Sequence, residues 1–199
     1  MIIAGAGSAG KETLAVYLLK KKTSQVIVYY DTGTKIPDTV YQKYTVLRTE
    51  ESLKAHLTKD PYFCVAIGHS RLRERLYNRL TALGGIPVNI IAPNAFSIST
   101  FSENGTIIQP GVVMSYEVAL GKSCIIHANA TIGHKVNIGD FVNISPLVSI
   151  VGPCTIGPHC FIGSGSVILP HLTIGKHVLI PAGSIVKRNL ADYETFETP

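Results

Sequence analysis

From Ile108 onward every sixth residue is aliphatic: Ile108, Met114, Leu120, Ile126, Ile132, Ile138, Ile144, Ile150, Ile156, Ile162, Ile168, Ile174, Ile180 and Val186. Two places earlier stand small or β-branched residues, among them Val112, Cys124, Ala130, Val136, Cys154, Cys160 and Ser166, and a glycine often follows, as at Gly121, Gly133, Gly139 and Gly157. A strand repeats its side chains every two residues and a helix about every 3.6, so a beat of six suits neither alone. It suits a coil with three flat sides. Each hexad supplies a short strand and a corner, the aliphatic residue points inward, and the small residue or glycine lets the backbone turn. Three hexads make a coil of about eighteen residues, so the run winds about four to five coils.

Residues 1–91 obey a different pattern. Segments 1–4, 26–30, 45–47, 63–67 and 87–91 read as strands, and 11–21, 50–57 and 70–83 carry helical spacing. That alternation predicts a parallel sheet covered by helices. The change of pattern falls near Ala92-Pro93-Asn94, which divides the chain into 1–91 and 92–199, with 92–107 as an irregular first coil.

Composition narrows the class. With 46% hydrophobic and 16% charged residues among 199, the chain can bury a substantial core. It has no apolar run of about 18 residues and does not open on a basic stretch followed by an apolar one, so the expectation is a cytoplasmic protein without a membrane partner. Cys64, Cys124, Cys154 and Cys160 form no closely spaced pairs of the zinc or redox kind, and the last three fall on the inward small position, which predicts buried structural thiols. The formal charge of +5 is scattered; its clusters, Lys20-Lys21-Lys22 and Arg71 to Arg79, sit on predicted amphipathic helices and read as solvated faces, not a nucleic-acid surface. A mild positive bias does suit small anionic ligands.

Two places carry candidate chemistry. Gly5-Ala6-Gly7-Ser8-Ala9-Gly10 follows the first strand and opens the first helix, with Asp31 at the end of the second strand. Bare backbone at Gly7, Ser8 and Ala9 would let a phosphate approach the helix N-terminus, and Asp31 would meet a ribose hydroxyl; tight packing of the turn is the competing explanation. Ile67-Gly68-His69-Ser70 ends another strand and offers Gly68 and His69 as a second wall. About ninety residues make one mononucleotide half, so a nucleotide-sugar is a better guest than NAD. In the coiled half, His134 stands within Ile132-Gly133-His134-Lys135, and histidine is the side chain best suited to take a proton from an acceptor near neutrality. The plainer explanation is a solvent-facing corner residue. His127 is a candidate for acceptor binding or a merely exposed residue. His159 and His177, eighteen apart, should stack on successive coils, with His171 one hexad before His177. A zinc site built from them is conceivable, and the reading adopted is no metal.

Together, loop 5–10, Ala66-Ile67-Gly68, Ile132-Gly133-His134, Ile138-Gly139-Asp140-Phe141-Val142 and Val186-Lys187 make the chain resemble, across both halves, the bacterial sugar O- and N-acetyltransferases of the sialic-acid O-acetyltransferase (NeuD/PglD-like) type. The resemblance implies a Rossmann-like α/β half domain followed by a left-handed parallel β-helix of hexapeptide repeats. It implies a homotrimer that takes acetyl-coenzyme A in grooves between neighbouring helices, and a nucleotide-sugar spanning from the N-terminal half to that groove. By the same resemblance His134 is the general base, Gly152 and Ala182 line the pantetheine path, Asn143 belongs to the cofactor site, and Lys187 with Arg188 meets coenzyme A phosphates. Three positions depart from the family pattern: Gly133 replaces an acidic residue, Asn143 a second histidine, and Ala9 a loop histidine, leaving Glu117 or Asp140 to orient the imidazole. The expected activity is acetyl transfer to a nucleotide-linked amino sugar for cell-surface polysaccharide. The alternatives are O-acetylation of a free sugar such as sialic acid, a zinc-dependent hydratase of the carbonic anhydrase kind, and a non-catalytic hexapeptide-repeat binding protein.

Overall fold

The computed structural model describes residues 1–19 and 25–197, so the Lys20-Lys21-Lys22 cluster lies outside the described residues. The N-terminal half runs β1 (Ile2–Ala4), α1 (Ser8–Leu18), β2 (Val28–Tyr30), β3 (Thr39–Val40), β4 (Tyr44–Leu47), α2 (Glu50–Lys59), β5 (Tyr62–Val65), α3 (Ser70–Ala82) and β6 (Ile86–Pro87). These strands form one sheet in the order β3-β4-β2-β1-β5-β6. All pairs are parallel except β3 with β4. Every residue of β1 is buried, as a central strand covered on both faces requires. Leu14 and Val16 of α1 pack with Ile3, Tyr29 and Cys64 on one face. Leu53 and Leu57 of α2, with Tyr77 and Leu80 of α3, pack with Ile2, Val28 and Phe63 on the other. The chain builds outward from β1 through β2, then returns to add β5 on the opposite side, so a crevice opens at the strand ends between β1 and β5.

Three differences from the sequence reading are local. The first helix starts at Ser8, on the glycine loop itself, because Gly7 takes the cap position. The β3 hairpin strand is two residues long, too short to show a period. Segment 87–91 is split: Ile86–Pro87 closes the α/β sheet, whereas Ile90–Ile91 pairs with Ile107–Ile108.

From there the chain winds a three-sided prism. The first face stacks Ile90–Ile91, Ile107–Ile108, Ile125–Ile126, Asn143–Ile144, Phe161–Ile162 and Leu179–Ile180. The second face runs from Phe96–Ser97 to Ile185–Val186, and the third from Ala119–Leu120 to Thr173–Ile174. Pairing joins residues eighteen apart, as in Ile126 with Ile144, Ile132 with Ile150 and Ile138 with Ile156. The first coil is one residue shorter, with Ile90 opposite Ile107 and Phe96 opposite Val113, and the last is two shorter, with Ile174 opposite Leu190 and Leu179 opposite Thr195. The sixfold aliphatic residues and their small partners fill one continuous core. Cys124 and Cys160 sit there as hydrogen-bond donors, their thiols 3.1 Å from the Gly139 carbonyl and 2.9 Å from the Gly175 carbonyl. Burial pushes the Cys124 thiol up to about 12 and that of Cys160 to about 11, so neither is a nucleophile.

Ile144 is fully enclosed in this core. Ile144→Ala should cost about 2–5 kcal/mol, read as a lower urea midpoint at unchanged slope; an unchanged midpoint would show that the prism is not held by the aliphatic repeat.

Candidate active site

The prism's corners locate the candidate residues. Gln109, His127 and Ser145 follow the first face, Tyr116, His134 and Gly152 follow the second, and Ser123, Phe141, His159 and His177 follow the third. The N-terminal half rests on the third corner and the first face. There Arg73, on α3, has no exposed surface and no carboxylate partner among the described residues. Its guanidinium donates to backbone carbonyls instead: Ser123 (2.8 Å) and Phe141 (2.7 Å) of the prism, and Ile67 (2.6 Å) and Gly68 (3.1 Å) of the strand-end loop. Burial brings it down to about 10, still charged near neutrality. Beside it the Asn143 amide donates to the Gly68 carbonyl at 2.6 Å while its own oxygen, also buried, accepts nothing. Asn143 is therefore engaged between the two halves. A column of rings continues below: Phe141, His159, His177 and Tyr193 stack with centroids 5.4, 4.6 and 4.9 Å apart. Glu74 of α3 reaches His159 at 3.5 Å.

The glycine loop separates into structural and open positions. A side chain at Gly5 would meet the Ala66 carbonyl at 2.7 Å, and one at Gly10 the Gly5 carbonyl at 1.9 Å, so packing alone explains both. Gly7 has nothing within 4 Å of where its Cβ would lie. It caps α1 without a side-chain hydrogen bond, and the first turn carries no acidic residue, which leaves the Ser8 and Ala9 amides at an uncompensated positive end. A cavity of about 580 Å³ opens over them, lined also by Asp31, Lys35 and Gly68. Asp31 accepts from Ala6 N–H and Gly33 N–H, both at 2.8 Å, so the expected ribose contact would share a carboxylate that already shapes two loops. His69 is exposed, and its Nδ1 accepts the Leu72 N–H at 3.4 Å as the cap of α3.

His127 and Ser145 line another cavity, of about 530 Å³, between the first corner and Glu12 of α1. Burial holds the His127 imidazolium below its ordinary range, with the Glu12 carboxylate pulling the other way. His134 lies on a different corner, half-buried, its ring stacked on Tyr116 with centroids 5.3 Å apart and planes 10° from parallel. Its Nδ1 is enclosed without a hydrogen bond. Neither acidic candidate orients the ring: Asp140 accepts the Lys122 N–H at 2.8 Å, and Glu117 faces Lys135 at 4.0 Å. Position 133 has no room for a carboxylate, because a Cβ there would lie 2.5 Å from the Gly152 nitrogen. Gly152 in turn passes so close to His134 that a Cβ would fall 1.7 Å from the His134 carbonyl oxygen. Lys187 is exposed on the same corner as His134; Arg188 is engaged by Glu194 at 2.7 Å, and Ala182 lies exposed on the first corner. Arg73, Glu12 and Tyr116 went unnoticed in the sequence. Arg73 carries no signal of its own within a run of arginines, and the other two matter only through contacts made across the fold.

A nucleotide-type loop joined to a hexapeptide prism with half-buried histidines at its corners defines a two-domain acyltransferase architecture. Residues 1–80 match the PglD N-terminal domain and 135–170 the bacterial transferase hexapeptide repeats. The chain is 32% identical over 176 residues to a GDP-perosamine N-acetyltransferase of Escherichia coli, covering 83% of this chain and 76% of that protein. Among solved structures it is similar to PerB from Caulobacter crescentus in complex with coenzyme A and GDP-perosamine, with TM-score 0.86, 25% identity, and 98% and 91% of the two chains covered. The acetyltransferase domain of PglB from Neisseria gonorrhoeae gives TM-score 0.88 at 26% identity, covering 98% and 94%. The chain belongs to the PglD/NeuD-like family of hexapeptide-repeat sugar acetyltransferases, and its prism is the left-handed β-helix of that family. No described helix is long and apolar enough to cross a membrane.

The Arg73 contacts predict that Arg73→Met destabilises the protein by about 3 kcal/mol or more, since several buried carbonyls lose their donor. Arg71→Met, at an exposed position of the same helix, serves as the control in calorimetry, and equal melting temperatures would contradict the assignment.

Proposed function

We propose that the protein transfers the acetyl group of acetyl-coenzyme A to the amine of a nucleotide-linked amino sugar, with His134 as general base, in a site shared between copies of a homotrimer. Residues 1–91 hold the nucleotide-sugar and residues 92–199 carry out the transfer. The relatives support the substrate classes: the Escherichia coli protein is a GDP-perosamine N-acetyltransferase, and the Caulobacter crescentus structure holds coenzyme A with GDP-perosamine. A product of this kind serves cell-surface polysaccharide, and the setting is the cytoplasm, where acetyl-coenzyme A is made.

The observation that carries the shared site is where the halves of the chemistry lie. The glycine-loop cavity, Gly68 and Asn143 belong to the first face and third corner, whereas His134 belongs to the second corner, away from the N-terminal half of its own chain. The cofactor residues divide likewise, Gly152 and Lys187 on the second corner and Ala182 on the first. A groove between neighbouring prisms, first corner against second, reunites them. Exposed apolar residues on the outer faces and these corners, Val113, Leu147, Phe161, Leu179 and Ile185, give neighbouring prisms something to bury.

Within that groove the residues have complementary roles. The Ser8 and Ala9 amides take the diphosphate, and His127 and Ser145 border the path from the loop toward the groove. With Nδ1 enclosed, Nε2 is the His134 nitrogen that acts as the base, and the stacked Tyr116 ring sets its plane in place of a carboxylate. It accepts the proton of the neutral amine as the amine nitrogen bonds to the thioester carbonyl carbon. The Gly152 N–H, which finds no acceptor among the described residues, faces the charge that builds on the carbonyl oxygen. The carbon–sulfur bond then breaks, and the thiolate leaves with the proton returned by His134. Bare backbone at Gly152 and an ammonium at Lys187 fit a pantetheine arm ending in phosphates.

His134→Ala should lower kcat by roughly 10²–10⁴-fold with little change in the KM for acetyl-coenzyme A, measured as free thiol release with UDP-, GDP- and CMP-linked amino sugars. Full activity in the variant would remove His134 from the mechanism.

A further inference from the structure

Beside the glycine-loop cavity lies a smaller one of about 290 Å³ that shares Gly5, Asp31 and Ile67 with it. It continues the crevice past the end of β1 toward α3. Its inner surface is apolar, from Ile67, Leu72 and Leu76, and Leu72 is 46% exposed, a large aliphatic side chain left facing water. Its rim is cationic. Arg75 and Arg79 project from successive turns of α3, and only Arg79 is restrained, by Glu50 of α2. Arg75 is exposed and makes no ion pair or hydrogen bond among the described residues.

We propose that this cavity is the nucleobase subsite and that Arg75 makes it selective for guanine; the inference rests on the reading of the crevice as a nucleotide-sugar site. The geometry constrains where a base can go. A diphosphate on the Ser8 and Ala9 amides lies on the α1 side of the crevice, and Asp31 marks the ribose position at the end of β2. The base, continuing away from the phosphates, arrives over α3, where the apolar wall receives its flat face.

The rim decides which base. Guanine presents two adjacent acceptors, O6 and N7, on one edge, and a guanidinium donates to both at once. Uracil offers one carbonyl beside a carbon on the corresponding edge and so takes a single hydrogen bond. Adenine keeps N7 as one acceptor but sets an amino donor beside it, and cytosine places only an amino donor there, facing the N–H groups of Arg75. The larger purine ring also covers more of Leu72 and Leu76 than a pyrimidine does. The expected order is GDP first, UDP and ADP after it with one hydrogen bond each, and CDP weakest.

Calorimetric titration of the full chain with GDP, UDP, ADP and CDP, repeated for Arg75→Ala and Arg75→Lys, tests the assignment. GDP should bind tightest. Arg75→Ala should weaken GDP roughly ten- to a hundredfold while changing UDP by no more than about twofold, with the lysine variant between. Because Arg75 is exposed and unpaired, the melting temperature should not move, and kcat at saturating sugar nucleotide should hold while KM rises. A GDP-to-UDP preference that survives Arg75→Ala, or a parent protein that prefers UDP, ADP or CDP, overturns the guanine assignment and leaves the nucleotide site standing. Failure of all four diphosphates to bind overturns both.

Discussion

Backbone stacked on backbone at a spacing of eighteen residues is the constraint on which the rest of this molecule depends. Each coil of the prism gives its amides to the next, as His127 N–H does to the Ile144 carbonyl and Gly133 N–H to that of Ile150. With coils this close, a corner can hold a side chain only where the coil beside it leaves room. That is why Gly152 is bare next to His134, and why no carboxylate can precede the histidine at position 133. The same stacking sets the imidazole plane, since residues eighteen apart lie one above another and Tyr116 falls on His134. The arrangement of side chains at this corner is a consequence of the packing repeat, not an addition to it.

A second, independent contact fixes the N-terminal half on the prism. Arg73 contributes a buried charge that no anion among the described residues neutralises; its donors are satisfied by carbonyl dipoles from both halves. Such a group is costly to bury and more costly to leave unpaired, so the contact favours one arrangement of the halves. Its partners Ile67 and Gly68 border the nucleotide crevice, and Asn143 holds Gly68 from the prism side. The loop at Ile67 and Gly68 is therefore anchored to the prism, although His134 of the same chain lies on a different corner.

Much of this was legible in the sequence, for a definable reason. The aliphatic beat of six reports the prism because each hexad meets the same surroundings as its neighbours, so local pattern and tertiary contact coincide. In the N-terminal half the central strands show as short continuous apolar runs instead, because β1 and β2 are buried along their whole length. Arg73 was hidden because its partners on the prism lie 50 and 68 residues away, and within Arg71 to Arg79 it looks like any solvated cation. Asn143, expected at the cofactor site, has its amide drawn into the contact between the halves, which no spacing reveals. Of the glycine fingerprint, Gly5 and Gly10 answer to packing and only Gly7 is left open, a distinction the motif does not carry.

The central claim is that nucleotide loop and imidazole meet across copies, and subunit complementation tests it most directly. Gly7→Glu places a carboxylate in the phosphate cradle at a position with no steric neighbour, so it should silence sugar binding without unfolding the chain. Co-assembled with subunits carrying His134→Ala, it should restore about a quarter of the parent activity, because some interfaces then join an intact loop to an intact histidine. Mixed assemblies as inactive as either variant alone would mean that each chain uses its own His134, and the shared groove would have to be abandoned.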